Sequence, residues 1–341
     1  MELAGWTYFE ADQLRKLLGK PDCEAKLPIF EAKFRRGCAA RGVRQTVVDE
    51  AWDMVRTFTG YSFCKPHSAS YSQVSFESAW IKAHHPAVFF ASVITNQGGF
   101  YPANAYLGDA RRHRLVVEGP SANDSDWAFT AEGDGVLRVG LMQIQGAREL
   151  EVKALLEDRA KNGPFENLDD LVRRVKLSVT TAEALCAAGA FDIWTRNGDR
   201  TRLMWARLGG VPAGVRPRPT NPFDRADLEN ATMSLTLDIH PAVLARIRNG
   251  SGPDRATDTL MEKPGTRLRF WALVVAEKIV STEKGEAMQF LTLEDETALC
   301  EAVAFPDVIR LRQRPFRVGE TLSIGGKTTV QDGLAVFEVH L

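Results

Sequence analysis

Leu268-Arg269-Phe270-Trp271-Ala272-Leu273-Val274-Val275-Ala276 is a run of aliphatic, β-branched and aromatic residues that reads as a strand. A Glu283-Lys284-Gly285-Glu286 turn follows it. Then come Met288 to Leu293, Leu299 to Phe305, a short helix near Pro306 to Arg312, Thr321 to Ile324 and Leu334 to Val339. Five strands with a helix between the third and the fourth is the layout of an OB barrel. OB grooves hold single strands by stacking and backbone charge, and Phe270, Trp271, Phe290 and Phe305 are the candidate stackers. Alternation sends about half of such residues into a barrel core. OB barrels also take tRNA, oligosaccharides and proteins, so the fold alone does not choose the ligand.

Upstream, residues 211 to 222 carry four prolines in twelve positions, which excludes helix and disfavours a central strand; they read as a linker. Before the linker, Trp127 to Thr130 and Val136 to Val139 flank Glu132-Gly133-Asp134-Gly135, a hairpin signal. A helix from about Arg148 stops at Asn162-Gly163-Pro164, and another starts after Asn167, an N-cap followed by Asp169 and Asp170. The first 118 residues read mostly helical. Val48, Trp52, Val55 and Phe58 form one amphipathic stripe, ended by Gly60. Phe76, Ala79, Trp80 and Ala83 form a second, closed by Pro86, with Trp80 expected in the core and Lys82 exposed.

At 341 residues the chain exceeds one average core, and 44% hydrophobic with 26% charged residues is an ordinary globular balance. No apolar run reaches the roughly 20 residues of a membrane span and no signal-peptide pattern opens the chain, so a cytoplasmic location is expected. Five scattered cysteines argue against a disulfide framework or a four-ligand zinc site. Cys64 and His67 have C-x-x-H spacing but no second pair at zinc-like spacing. The net charge of −1 does not advertise a nucleic-acid partner, although a local patch can act where global charge does not. Lys33, Arg35, Arg36, Arg41 and Arg44 form the densest basic stretch, which fits a solvated helix face or a DNA-facing patch equally.

Several motifs converge. Leu3-Ala4-Gly5-Trp6-Thr7 leads into Glu10-Ala11-Asp12-Gln13-Leu14-Arg15-Lys16. Gly60-Tyr61-Ser62-Phe63-Cys64-Lys65-Pro66-His67-Ser68-Ala69 precedes Ala79-Trp80-Ile81-Lys82-Ala83-His84-His85-Pro86. In this order they resemble the fingers of bacterial C-family DNA polymerases (the polymerase III alpha subunit and its error-prone relatives). The resemblance runs over nearly the whole chain. It implies that Arg15 and Lys16, with Lys65 and His67, hold the triphosphate of an incoming dNTP. Lys16 stands where the family has a second arginine, keeping charge without the bidentate fork. Cys64 and Pro66 depart from the F-N-K-[SA]-H signature while Lys65 and His67 keep it. Tyr61 and Phe63 fit a base-stacking role or a core position.

Gly140-Leu141-Met142-Gln143-Ile144-Gln145-Gly146-Ala147-Arg148 looks like a helix-hairpin-helix turn, a device that binds duplex phosphate through backbone N–H groups. Arg148 replaces its second glycine, which puts the tight turn in question and adds a cation. Leu235 to Pro241 resembles the family's L-x-L-x-G-H-P segment, with Ile239 for Gly.

The expected chain is therefore a multidomain α+β protein. It has a mostly α-helical fingers-like domain (1–118), a β-hairpin plus helix-hairpin-helix DNA-binding domain (119–208), a Pro-rich linker with a short helix (209–263) and a five-stranded OB β-barrel (264–341). The resemblance implies a DNA-directed DNA polymerase acting in replication or translesion repair. Its partners would be primer-template DNA and dNTP, its nucleotide contacts Arg15, Lys16, Lys65 and His67, and its DNA contacts Tyr61, Gly146, Arg148, Trp271 and Phe290. Nucleotidyl transfer needs two metal ions on clustered carboxylates. In the family these ions are Mg2+ in a P-D-x-D-x-D palm, and no such motif occurs here. Asp124-Ser125-Asp126 and Glu294-Asp295-Glu296 read as solvated turns. The expectation is a chain inactive alone, complemented by a separate palm-bearing portion. The family's sliding-clamp motif is not recognisable, Asn221-Pro222-Phe223 being too degenerate. A non-catalytic DNA-binding accessory protein is the alternative, and an RNA-binding OB protein would account only for the last quarter.

Overall fold

The computed structural model describes residues 1–20, 23–57, 65–195, 198–207, 215, 218–250, 252–282, 284–331 and 333–340. Phe58, Gly60, Tyr61, Phe63 and Cys64 lie outside them. The chain forms two compact units, Met1–Ala79 and Trp80–Leu341.

In the first unit, α1 (Tyr8–Leu18), α2 (Cys23–Ala40) and α3 (Gln45–Arg56) are followed by the start of α4 (Lys65–His84). Thr7 opens α1 through a reciprocal cap. Its hydroxyl accepts from the Glu10 N–H, and the Glu10 carboxylate accepts from the Thr7 N–H at 2.8 Å. Lys33 and the Thr7 donors bring the Glu10 carboxyl down to about 2. The apolar faces meet in a core of Leu14, Leu18, Leu27, Phe34, Val48 and Trp52, with the Phe34 and Trp52 rings 5.3 Å apart. The Val48/Trp52 stripe is thus buried.

The second stripe is not. Phe76 on the first unit's part of α4 is 79% exposed, and Trp80, where the second unit begins, is 56% exposed. Trp80 is therefore no core residue. Lys82 corrects the other way: its ammonium pairs with Asp109 at 2.7 Å and lies 5.5 Å from the Phe90 ring centroid.

The second unit continues with α5 (Pro86–Asn96) and α6 (Ala103–Arg112). A small sheet follows, made of β1 (Val116–Glu118), β2 (Thr130–Glu132) and β3 (Val136–Arg138), in the order β1-β3-β2. The expected hairpin is β2–β3, while β1 adds in parallel to β3. Next are α7 (Glu149–Asn162), α8 (Leu168–Arg174), α9 (Val179–Ala188), α10 (Arg200–Arg207), α11 (Pro222–Met233), α12 (Pro241–Asn249) and α13 (Asp258–Met261). Phe90 and Ile94 of α5 and Leu107 of α6 share one core with Leu137, Leu141, Leu155 and Leu171. The compact units consequently do not divide at 118/119. The apolar faces of α5 and α6 are removed from water by packing with the hairpin and the later helices. Residues 209–263 likewise hold more than one short helix, and Met233 and Leu235 at the end of α11 join that core.

The barrel comprises β4 (Arg267–Ser281), β5 (Ala287–Glu294), β6 (Leu299–Ala304), α14 (Pro306–Arg312), β7 (Thr321–Gln331) and β8 (Leu334–His340). It closes in the order β4-β5-β6-β8-β7 with β6 and β8 parallel, and α14 sits between the third and fourth strands as expected. Phe270, Phe316 and Phe337 fill it, so Phe270 is a core residue and no stacker. On its outer side Leu273 and Val275 pack on Ala105 and Tyr101 of the helical part.

Candidate nucleic-acid interface

Gly140 and Gly146 set the hairpin turn. A Cβ at Gly140 would sit 2.4 Å from the Ala128 carbonyl carbon, so only glycine lets the two backbones meet there. Leu141–Gln143 then makes a single 3-10 turn, and Gly146 adopts φ +86°, in the left-handed region that glycine favours. Arg148 needs no such freedom: it is the N-cap of α7 at φ −77°, ψ 124°. The turn therefore survives the loss of the second glycine. The backbone N–H of Arg148 donates to Thr181 Oγ1 at 3.1 Å, which ties α7 to α9. Its guanidinium is 69% exposed, with Glu151 3.5 Å away. Gln145 N–H donates to the Thr232 carbonyl and Gln143 Nε2 to that of Met233, pinning the hairpin to α11. Gly146 and Arg148 are thus brought together at one tip. Asn167 caps α8, accepting from the Asp170 N–H at 2.9 Å.

On the barrel, Phe290 and Phe305 are exposed at 40% and 43%, while Trp271 is half-buried and its Nε1–H donates to the Gly250 carbonyl at 3.1 Å. Trp271 and Phe290 lie on different strands. In the first unit, Arg15 and Lys16 end α1, largely exposed, and both pair with Asp12 at 2.8 Å, which holds that carboxyl below its ordinary range. His67 is exposed in the first turn of α4, its ring edge-on to Tyr71 with centroids 4.4 Å apart. Lys65 is the first residue of α4, and Tyr61 lies outside the described residues. In the basic stretch on α2, Arg35 pairs with Glu31 and Asp49, and Lys33 with Glu10, so part of its charge is neutralised.

The two acidic segments differ from expectation. Asp124 and Asp126 are exposed, but Ser125 is buried, its hydroxyl bonded to Ser121 N–H and to the Val139 carbonyl. Glu294 and Asp295 are 1% and 0% exposed, no solvated turn. Asp295 Oδ1 accepts from Thr297 and Ala298, and Oδ2 accepts from the Ala256 N–H. Glu294 Oε1 accepts from Arg112 at 3.0 Å across 182 residues, and the absence of a side chain at Gly108 leaves it room. His240 caps α12 with Nδ1 accepting from Ala242 N–H, which leaves Nε2 3.8 Å from Glu294 Oε2. Beside these groups is a cavity of ≈ 360 Å³, also lined by Arg111. Arg111 donates to the Thr236 and Leu237 carbonyls, and burial lowers its pKa. This cluster clamps the barrel to α6 and α12. It was not legible in the sequence.

Among the described residues no three His, Cys, Asp or Glu side chains converge as a candidate ion site. Asp295 is committed to the donors just named, while Glu294 Oε2 has no hydrogen-bond partner among the described residues. Cys23, Cys38, Cys186 and Cys300 are buried free thiols, and burial pushes Cys186 and Cys300 up to about 12.

A family profile described as a helix-hairpin-helix motif matches residues 114–203. The error-prone DNA polymerase of Burkholderia mallei is 30% identical over 338 residues, covering 95% of this chain and 31% of the relative. That of Anaeromyxobacter dehalogenans is 32% identical over 338 residues, covering 92% and 29%. Over nearly its whole length the chain is thus similar to curated error-prone DNA polymerases. It spans about a third of the length of the curated polymerases that it matches. Among solved structures, the second OB-fold domain of replication protein A from Methanococcus maripaludis aligns with 23% of the chain and 82% of its own length, at 19% identity and a TM-score of 0.19. The barrel of this chain is identified by its own strand order. Among the described residues no helix is long and apolar enough to cross a membrane.

Proposed function

We propose that this chain is the nucleotide- and DNA-contacting part of a bacterial DNA polymerase of the polymerase III alpha type, working in the cytoplasm in replication or translesion repair synthesis. Arg15, Lys16, Lys65 and His67 hold the triphosphate of the incoming dNTP. Gly146 and Arg148 approach duplex phosphate, and the barrel takes single-stranded template. The Mg2+ ions and their carboxylates belong to a palm outside this sequence, so the chain does not polymerise alone. The observation that carries this reading is the co-linear similarity to polymerases over 95% of the chain, joined to a hairpin whose Gly146 keeps the required positive φ.

The test is complementation. Primer extension with Mg2+ is measured for the chain alone, for a separately expressed palm-bearing portion of a relative, and for both together. Extension is expected only from the pair; no extension by the pair, or extension by the chain alone, counts against the reading. In the active pair, Lys65→Ala is expected to raise the KM for dNTP about tenfold or more, the cost of one charge-assisted phosphate contact being about 1.5–3 kcal/mol. An unchanged KM removes Lys65 from the nucleotide site.

A further inference from the structure

Up to Trp271, every second residue of β4 faces out of the barrel: Arg267, Arg269 and Trp271 alternate with the buried Leu268, Phe270 and Ala272. In the ladder Arg267 stands opposite Lys327 and Arg269 opposite Gly325 on β7. These stand in turn opposite Glu338 and His340 on β8. One face thus collects two arginines, a lysine and a histidine, around a hollow of ≈ 540 Å³. Two carboxylates also lie there. Glu338 is taken by Lys327 at 3.2 Å, with His340 3.7 Å away, and Asp254 accepts from the Arg269 backbone N–H.

Among the described residues, neither Arg267 nor Arg269 has an ion pair or a side-chain hydrogen bond. A Cβ at Gly325 would lie 2.8 Å from Arg269 Nη2, so the guanidinium rests on bare β7 backbone. Outward neighbours on one strand are about 6.7 Å apart and adjacent strands about 4.8 Å apart, which makes the cations a short two-dimensional array.

We infer that this β4–β7–β8 face carries the phosphates of a single nucleic-acid strand, a track separate from the Phe290 side of the barrel. The inference rests on the DNA-contacting reading above. Two features select nucleic acid over an acidic peptide. Trp271 continues the Arg267–Arg269 row, setting an aromatic face directly beside two cations, the pairing of base stacking with phosphate charge that suits a nucleic-acid strand. The strands belong to a closed barrel, so no free edge offers an extended peptide its backbone hydrogen bonds.

The test is fluorescence anisotropy of labelled oligo-dT with the full chain across a salt series. The triple variant Arg267→Gln, Arg269→Gln, Lys327→Gln is expected to bind at least tenfold more weakly, with its salt slope reduced by about 0.7 for each lost phosphate contact. Gly325→Ala, which displaces one guanidinium, should lose about one contact's worth of slope. Phe290→Ala should weaken binding without altering the slope. A wild-type slope in the triple variant, with Phe290→Ala still weakening binding, overturns the track and leaves the proposed function standing. Competition by poly-glutamate as strong as that by unlabelled oligo-dT overturns it in favour of an acidic protein. No binding of oligo-dT or primer-template by the wild-type chain overturns both.

Discussion

Arg200→Ala is expected to destabilise the second unit by about 3–5 kcal/mol, because it strands a buried charge. Arg200 is 2% exposed. Its Nη2 donates to Glu229 Oε1 at 2.9 Å and to Asp192 Oδ2 at 2.8 Å, and its Nη1 donates to the Ala187 carbonyl at 2.8 Å. Gly189 makes room for it, since a Cβ there would lie 2.4 Å from Nη2. Glu229, equally buried, keeps among the described residues the Leu237 N–H as its hydrogen-bond donor when the guanidinium is gone.

The pH dependence separates this cause from simple loss of packing. Burial, the leading influence, already raises the Glu229 pKa above 4.5. A folded-state carboxyl with a raised pKa binds protons that the unfolded chain releases, so stability falls as pH rises through that interval. Removing Arg200 widens the interval. The deficit of Arg200→Ala should therefore be smaller at about pH 5 than at about pH 8 in urea denaturation. A deficit independent of pH, or below about 1 kcal/mol, contradicts the ion-pair account.

Trp52→Ala is expected to cost the first unit about 3–5 kcal/mol. Trp52 is 1% exposed against Phe34, in a core assembled mainly from α1, α2 and α3 against which Trp6 and Phe30 also pack. Trp52→Phe should cost less than about 1.5 kcal/mol, since it keeps most of the volume. It also removes an indole N–H that has no hydrogen-bond partner among the described residues. Thermal unfolding followed by near-UV circular dichroism reads both substitutions. Equal losses from Ala and Phe would mean that the Trp52 volume is not what holds these helices together.

The barrel was legible because its strands alternate visibly and its turns are marked, as at Gly285. Alternation also placed stackers in two sets, but assigning Phe270 inward and Trp271 outward needed the register against β7. The same register makes a site of Arg267 and Arg269, whose i, i+2 spacing was in the sequence while Lys327 and Gly325 opposite them were not. Helical stripes carried a similar ambiguity. Periodicity identified α3 and α4 equally well, yet the α3 stripe is buried while among the described residues none on α4 is, so Trp52 is buried and Trp80 exposed. Glu294-Asp295-Glu296 read as a turn because its partner Arg112 lies 182 residues away. No local pattern signals an ion pair of that span. Arg148 illustrates the reverse case: the missing glycine cast doubt on a turn that Gly140 and Gly146 make without it.

Titration of a fluorescent primer-template having a single-stranded overhang with the full chain, over about 50–200 mM salt, examines the DNA-contacting reading without need of a palm. The account requires measurable binding at the low end and a linear fall of log affinity with log salt. The slope should be about −0.9 for each duplex phosphate contacted and about −0.7 for each on the single strand. No binding at low salt, or an affinity indifferent to salt, would contradict it.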